Sequence, residues 1–128
     1  MKILLIDDDK YLTKSCAMSL RAHGHEIDVV NKSKDLANAV SAQQEYELII
    51  LDLMMRNSNE FAARQGEETG EAIFRKIRAC EPDKKVIIIT GKDITEVKTN
   101  FAKQRVAVIS KPFSPNFGEL HEAIADAM

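Results

Sequence analysis

Three short runs in this chain are built wholly of Ile, Leu and Val: Ile3-Leu4-Leu5-Ile6, Leu48-Ile49-Ile50-Leu51 and Val86-Ile87-Ile88-Ile89. A strand with one face in water alternates apolar and polar residues. A continuous run of strand length needs cover on both faces, as in the parallel sheet of an α/β protein. Two further segments, Glu26–Val30 and Ala107–Ile109, read as the remaining strands. The expected strands are therefore Lys2–Ile6, Glu26–Val30, Leu48–Leu51, Val86–Thr90 and Ala107–Ile109.

Between them the apolar spacing changes to helical. Leu12, Cys16 and Leu20 share a face, as do Leu36 and Val40, Ile73 and Ile77 with Gly70 a turn earlier, Val97 and Phe101, and Leu120 and Ile124. Boundary residues agree. Asp9 and the pair Asp93 with Glu96 suit helix starts, Ser114-Pro115 places a cap before a first-turn proline, and His23-Gly24 suits a helix end. Acidic Glu67, Glu68 and Glu71 favour the start of the third helix electrostatically. Five βα units in succession predict a parallel sheet with right-handed crossovers. Ligands of such sheets bind beyond the carboxyl ends of the strands, near the point where the strand order reverses.

Those strand ends carry a consistent chemistry. The first strand runs into Asp7, Asp8 and Asp9, the third into Asp52, the fourth into Thr90, and the fifth reaches Lys111 through Ser110. Three carboxylates brought together repel, and a hard divalent cation relieves that repulsion. Mg²⁺ takes a few carboxylate oxygens and keeps waters that phosphate oxygens can replace. Lysine and threonine complete a phosphate-binding set.

Taken in order, Ile6-Asp7-Asp8-Asp9, Leu51-Asp52-Leu53-Met54-Met55, Ile89-Thr90-Gly91 and Lys111-Pro112-Phe113 resemble the response-regulator receiver family over nearly the whole chain. The resemblance implies a doubly wound, flavodoxin-like five-stranded parallel sheet of order 2-1-3-4-5 with helices on both faces. It implies that Asp52 takes a phosphoryl group from a sensor histidine kinase or phosphotransfer protein. Asp8 and Asp52 would ligate Mg²⁺ directly, Asp7 mainly through water, and the Met54 carbonyl would add a ligand. Lys111 would pair with a phosphoryl oxygen, and Thr90 would turn toward it and report it to a downstream output domain or protein. A cis peptide before Pro112 is implied as well. Such a chain is a regulatory phospho-acceptor with slow chemistry of its own, not an enzyme in the ordinary sense.

The sequence departs from the family pattern in three places. Val108 stands three positions before Lys111, where receivers usually carry an aromatic residue that turns inward; Phe101 is expected to be core rather than its substitute. After Met55, Arg56 replaces a common proline, and residues 56–66 read as an inserted loop ahead of the third helix. That loop is either a tolerated surface extension, since added loop length costs little, or a flap beside the phosphoryl site that brings in Arg56 and Arg64. Finally, Met54 and Lys92 occupy positions that influence water attack on the aspartyl phosphate. Neither orients water well, so slow self-dephosphorylation is expected.

The 128 residues fit one domain, 1–128, and the formal net charge of −2 offers no basic field for direct nucleic-acid binding. No run is long enough for a membrane span, and no signal-peptide pattern opens the chain, which predicts a cytoplasmic location. Cys16 and Cys80 lack metal-ligand spacing and read as reduced, half-buried thiols. His23 and His25 flank a glycine turn, His121 is expected in solvent, and Met18, Met54 and Met55 are expected to pack.

Two other functions compete. A haloacid-dehalogenase-type phosphatase would use Asp7 and Asp9, yet it needs an acidic pair after Lys111 and leaves Asp52 without a role. A receiver-shaped interaction module that works without phosphorylation is compatible with Val108 and the inserted loop.

Overall fold

A computed structural model describes residues 1–54, 69–91, 93–111 and 117–128. The inserted loop at 56–66, Met55, Glu67, Glu68, Lys92, the peptide before Pro112 and the Ser114-Pro115 cap lie outside them. Strands β1 (Lys2–Ile6), β2 (Glu26–Val30), β3 (Leu48–Asp52), β4 (Lys85–Thr90) and β5 (Ala107–Ser110) alternate with helices. These are α1 (Lys10–Ala22), α2 (Leu36–Ser41), α3 (Thr69–Cys80), α4 (Ile94–Asn100) and α5 (Gly118–Ala127). All strand pairs are parallel and the order is β2-β1-β3-β4-β5, as the resemblance implied.

The continuous apolar runs are explained by two core layers. Leu4, Ile6, Ile49, Leu51, Val86 and Ile88 face Leu36 and Val40 of α2, Ile73, Phe74 and Ile77 of α3, and Val97 and Phe101 around α4. Their neighbours Ile3, Leu5, Leu48, Ile50, Ile87 and Ile89 face Cys16, Ala17 and Leu20 of α1, with Leu120 and Ile124 of α5. Alternate residues thus serve different layers, and both layers are buried. At about 25 cal/mol per Å² of apolar surface, burial of these aliphatic side chains is the main favourable term in folding.

Caps fix the helix entries. The Asp9 carboxylate accepts from the backbone N–H groups of Tyr11 and Leu12, and Asp93 accepts from Thr95. His23 ends α1, and Gly24 follows with φ +90°, a conformation that favours glycine. Helix α4 stops at Asn100, so Phe101 lies just past it. Its ring still enters the core, edge-on to Phe74 at 5.2 Å between centroids.

Some surface expectations are corrected. Met18 is 62% exposed and Met54 45% exposed, because Cys16, Ala17 and Leu20 take the inner face of α1 and β3 has ended before Met54. Cys16 is fully buried, Cys80 is exposed, and both are free. His121 is not simply solvated. It stacks on His23 at 3.6 Å between centroids and shares a 2.9 Å hydrogen bond with Ser19, since α1 and α5 lie on the same side of the sheet. No helix among the described residues is long and apolar enough to cross a membrane.

Candidate functional site at the carboxyl edge of the sheet

The chain leaves β1 to form β2 on one side and returns to form β3 on the other. The strand order therefore reverses between β1 and β3, whose last mutual pair is Ile6 with Leu51. The next residues in each chain, Asp7 and Asp52, are consequently neighbours. Asp8 joins them, and oxygens of the three carboxylates lie within 4.8 Å of one another. Asp7 and Asp52 are buried, with Asp8 at the rim.

Backbone donors orient this cluster. Asp9 N–H donates to Asp7 Oδ1 at 2.9 Å, and Met54 N–H donates to Asp52 Oδ1 at 3.1 Å. The strand ladder continues past the Asp52 position, where Leu53 N–H donates to the Ile89 carbonyl at 2.9 Å. Helix α3 presses against the same segment. Gly70 N–H donates to the Leu53 carbonyl at 3.0 Å, and a Cβ on Gly70 would stand 2.4 Å from Leu53 Cα and 2.6 Å from the Asp52 carbonyl oxygen. Only glycine permits that approach. The sequence pattern assigned Gly70 to the helix face; it gave no sign of this contact with the strand that carries Asp52.

Lys111 follows β5, on the other side of Asp52 in the sheet order from β1. Its backbone N–H donates to the Thr90 carbonyl at 2.8 Å, which continues the β4–β5 ladder. Its ammonium donates to Asp7 Oδ2 at 2.9 Å and stands 3.6 Å from Asp52 Oδ2. Thr90 is fully buried, one residue beyond the Ile89 that pairs with Asp52. The five side chains Asp7, Asp8, Asp52, Thr90 and Lys111 thus end adjacent strands at one edge. Met54 contributes its backbone there while its side chain is exposed.

Burial, with the nearby Asp7 charge, pushes the Asp52 carboxyl up to about 6, against the pull of the Met54 N–H and Lys111. Burial draws the Lys111 ammonium down, but its hydrogen bond to Asp7 and the charges of Asp52, Asp7 and Asp9 outweigh that and hold it above its ordinary value. One ammonium among three carboxylates leaves an excess of negative charge. Hard oxygen donors in that number are what Mg²⁺ prefers, so the residues present fit such an ion.

Val108, half-buried in β5, packs against the layer formed by α2, α3 and α4. Phe101 sits in that layer as core, as expected.

Comparison with known proteins gives one consistent answer. Residues 3–125 match the family described as response regulator receiver domain. The chain is 30% identical over 116 residues to Protein RcaC of Microchaete diplosiphon, an alignment covering 90% of this chain and 16% of that protein. It is 28% identical over 93 residues to Transcriptional regulatory protein PmrA of Pectobacterium parmentieri, covering 73% of this chain and 37% of that protein. The matched part is thus well under half of either relative's own length. Among solved structures, response regulator protein TrrA of Thermotoga maritima, in complex with Mg(2+)-BeF, superposes with a TM-score of 0.74. The identity is 23%, over 99% of this chain and 98% of that one. The receiver domain protein (CheY-like) of Methanospirillum hungatei gives 0.77 at 21% identity, over 98% and 90% of the two chains. These two likenesses speak for the fold. With the acid-lined sheet edge and a family match over nearly the whole chain, they lead to one assignment: the chain belongs to the response regulator receiver domain family.

Proposed function

We propose that the chain is one phosphoryl-accepting receiver domain, residues 1–128 with an insertion at about 56–66, and that it uses Asp52 as acceptor. The observation that carries this reading is the placement of Lys111, bound to Asp7 and only 3.6 Å from Asp52 among three converging carboxylates. Asp52 Oδ2 attacks the phosphorus of a phosphohistidine. The new P–O bond forms as the P–N bond breaks, and the departing imidazole takes up a proton. Met54 N–H holds the other Asp52 oxygen, which leaves Oδ2 directed to the donor. The Lys111 ammonium neutralises charge on the transferred group, and the Thr90 hydroxyl binds one of its oxygens.

Asp8 and Asp52, with Asp7 through water and the Met54 carbonyl, would hold Mg²⁺. When bound, the ion neutralises the carboxylates and charge on the phosphoryl oxygens. The donor is a sensor histidine kinase or phosphotransfer protein, and the phosphorylated form alters binding to a downstream output domain or protein. A cytoplasmic location follows from that partnership.

The sheet order and the place of Asp52 inside the cluster support this reading over a haloacid-dehalogenase-type one, which leaves Asp52 without a role. Beryllium fluoride with Mg²⁺ tests the proposal by amide NMR. The expected result is saturable shifts at Asp7, Asp52, Thr90 and Lys111. Shifts absent from these positions, or unchanged when Mg²⁺ is omitted, contradict it and favour an interaction module that works without phosphorylation.

A further inference from the structure

At the end of the sheet opposite the carboxylates, the turns leading into β4 and β5 enclose a cleft of about 560 Å³. Lys85 at the start of β4 and Lys103 and Arg105 in the turn after α4 line it and are exposed. Arg78 and Lys84 form part of the same wall, with Asp83 as its acid. Among the described lining residues five cations stand against one carboxylate, and Glu81 pairs with Lys84 just outside, which still leaves a local positive excess on a chain whose formal net charge is −2.

The cations divide into two groups. Arg78 donates to the Pro82 carbonyl at 3.0 Å, to that of Lys84, and to that of Gln104 at 3.1 Å, which ties the two turns together. The Lys84 ammonium is engaged by the carbonyls of Gln43 and Tyr46 and by Glu81. Both therefore build the cleft, and Asp83 lends its charge to Arg78. Among the described residues no ion pair or side-chain hydrogen bond engages Lys85, Lys103 or Arg105.

Arg105 also adopts φ +55°, a left-handed conformation that glycine would hold without strain. Glycine there would relieve the strain but would remove the guanidinium from the cleft wall. The volume is in the small-ligand range. Among the described residues no aromatic ring lines the cleft, so they offer a nucleobase nothing to stack on. A guanidinium binds phosphate oxygens in pairs, while ammonium groups act as point charges.

We propose that this cleft binds a small oligophosphate, a chain of two or three phosphoryl groups held by Lys85, Lys103 and Arg105, at a site separate from Asp52. A free oligophosphate and the phosphate tail of a nucleotide share that chemistry. The test is an amide NMR titration of the full chain with tripolyphosphate, without Mg²⁺ and at constant ionic strength. The expected result is saturable shifts at 83–85 and 103–105. Arg105→Gly should weaken binding about tenfold, the scale of one charged contact, while its melting temperature stays the same or rises as the backbone strain is relieved. Lys85→Ala with Lys103→Ala should weaken it further. ATP binding no tighter than tripolyphosphate supports recognition of the phosphates alone. Non-saturating shifts, shifts confined to Asp7, Asp52 and Lys111, or unchanged affinity in Arg105→Gly would overturn the proposal. So would ATP binding more than about tenfold tighter, which requires a contact beyond the phosphates, or duplex DNA binding more tightly at the same ionic strength.

Discussion

The Lys111 ammonium is hydrogen-bonded to Asp7 at 2.9 Å, and Asp7 is wholly buried. The lysine is thus held by the carboxylate that is not the acceptor, and Asp52 lies just outside hydrogen-bond range at 3.6 Å. Lys111 screens two buried like charges while its remaining donors stay available. Lys111→Met should therefore destabilise the metal-free fold by about 2 kcal/mol, the scale of a lost hydrogen bond to a buried charge. Mg²⁺ should restore much of that loss. Urea denaturation with and without Mg²⁺ checks both points; a variant as stable as the parent without metal would contradict the pairing.

Asp52 carries the opposite sign. Its carboxyl titrates near 6 in the fold, above its ordinary 3.8, because burial and Asp7 disfavour the charged form. A raised folded value means that this group's contribution is fully present in acid and lost as pH rises through about 6. At neutral pH the charged acceptor is a cost to stability. Asp52→Asn should thus be more stable than the parent at about pH 7.5 without divalent ions, by on the order of 2 kcal/mol. The two should converge below about pH 4. Thermal melts across pH measure this, and a less stable variant at neutral pH would contradict it.

Gly70→Ala sets two effects against each other. Alanine is the better helix former by about 1 kcal/mol. Its Cβ, however, would meet backbone atoms of Leu53 at 2.4 Å, and backbone cannot swing aside as a side-chain tip can. Overpacking of about 1–3 kcal/mol should win, giving a net loss of stability. Amide shifts at Asp52 and Met54 should accompany it, since α3 would be pushed from the strand end. A more stable variant with unchanged shifts would show that the contact is looser than described.

The two thiols should behave differently. Burial, with a smaller effect of Asp7, pushes the Cys16 thiol up to about 12, whereas Cys80 is exposed. Cys16 therefore favours the fold below its ordinary value of 9.0, and that contribution fades as pH rises toward 12. In the native protein at about pH 8, a thiol reagent should modify Cys80 alone, and Cys16 should react only on unfolding. Mass spectrometry of the labelled chain reads this directly; rapid native labelling of Cys16 would contradict its burial.

The fold was legible because Ile3–Ile6, Leu48–Leu51 and Val86–Ile89 each satisfy two core layers at once, a demand that alternating sequence cannot meet. The convergence of Asp7, Asp8, Asp52, Thr90 and Lys111 followed from strand ends and parallel order. Pairings set by three-dimensional approach were not legible. Gly70 against Leu53, Arg78 joining three carbonyls, and His121 stacked on His23 each depend on distances between distant segments that no local pattern encodes. Met18 was misread because hydrophobicity alone does not tell which helix face an isolated apolar residue occupies.

The central claim is that Asp52 accepts a phosphoryl group with Mg²⁺ present, and intact mass tests it most directly. The chain and its Asp52→Asn variant are incubated with acetyl phosphate, with and without Mg²⁺. The account predicts one phosphoryl adduct on the parent chain, dependent on Mg²⁺ and absent from the variant, with slow decay once the donor is removed. An adduct of equal yield on the variant, or none on the parent under any of these conditions, would contradict it.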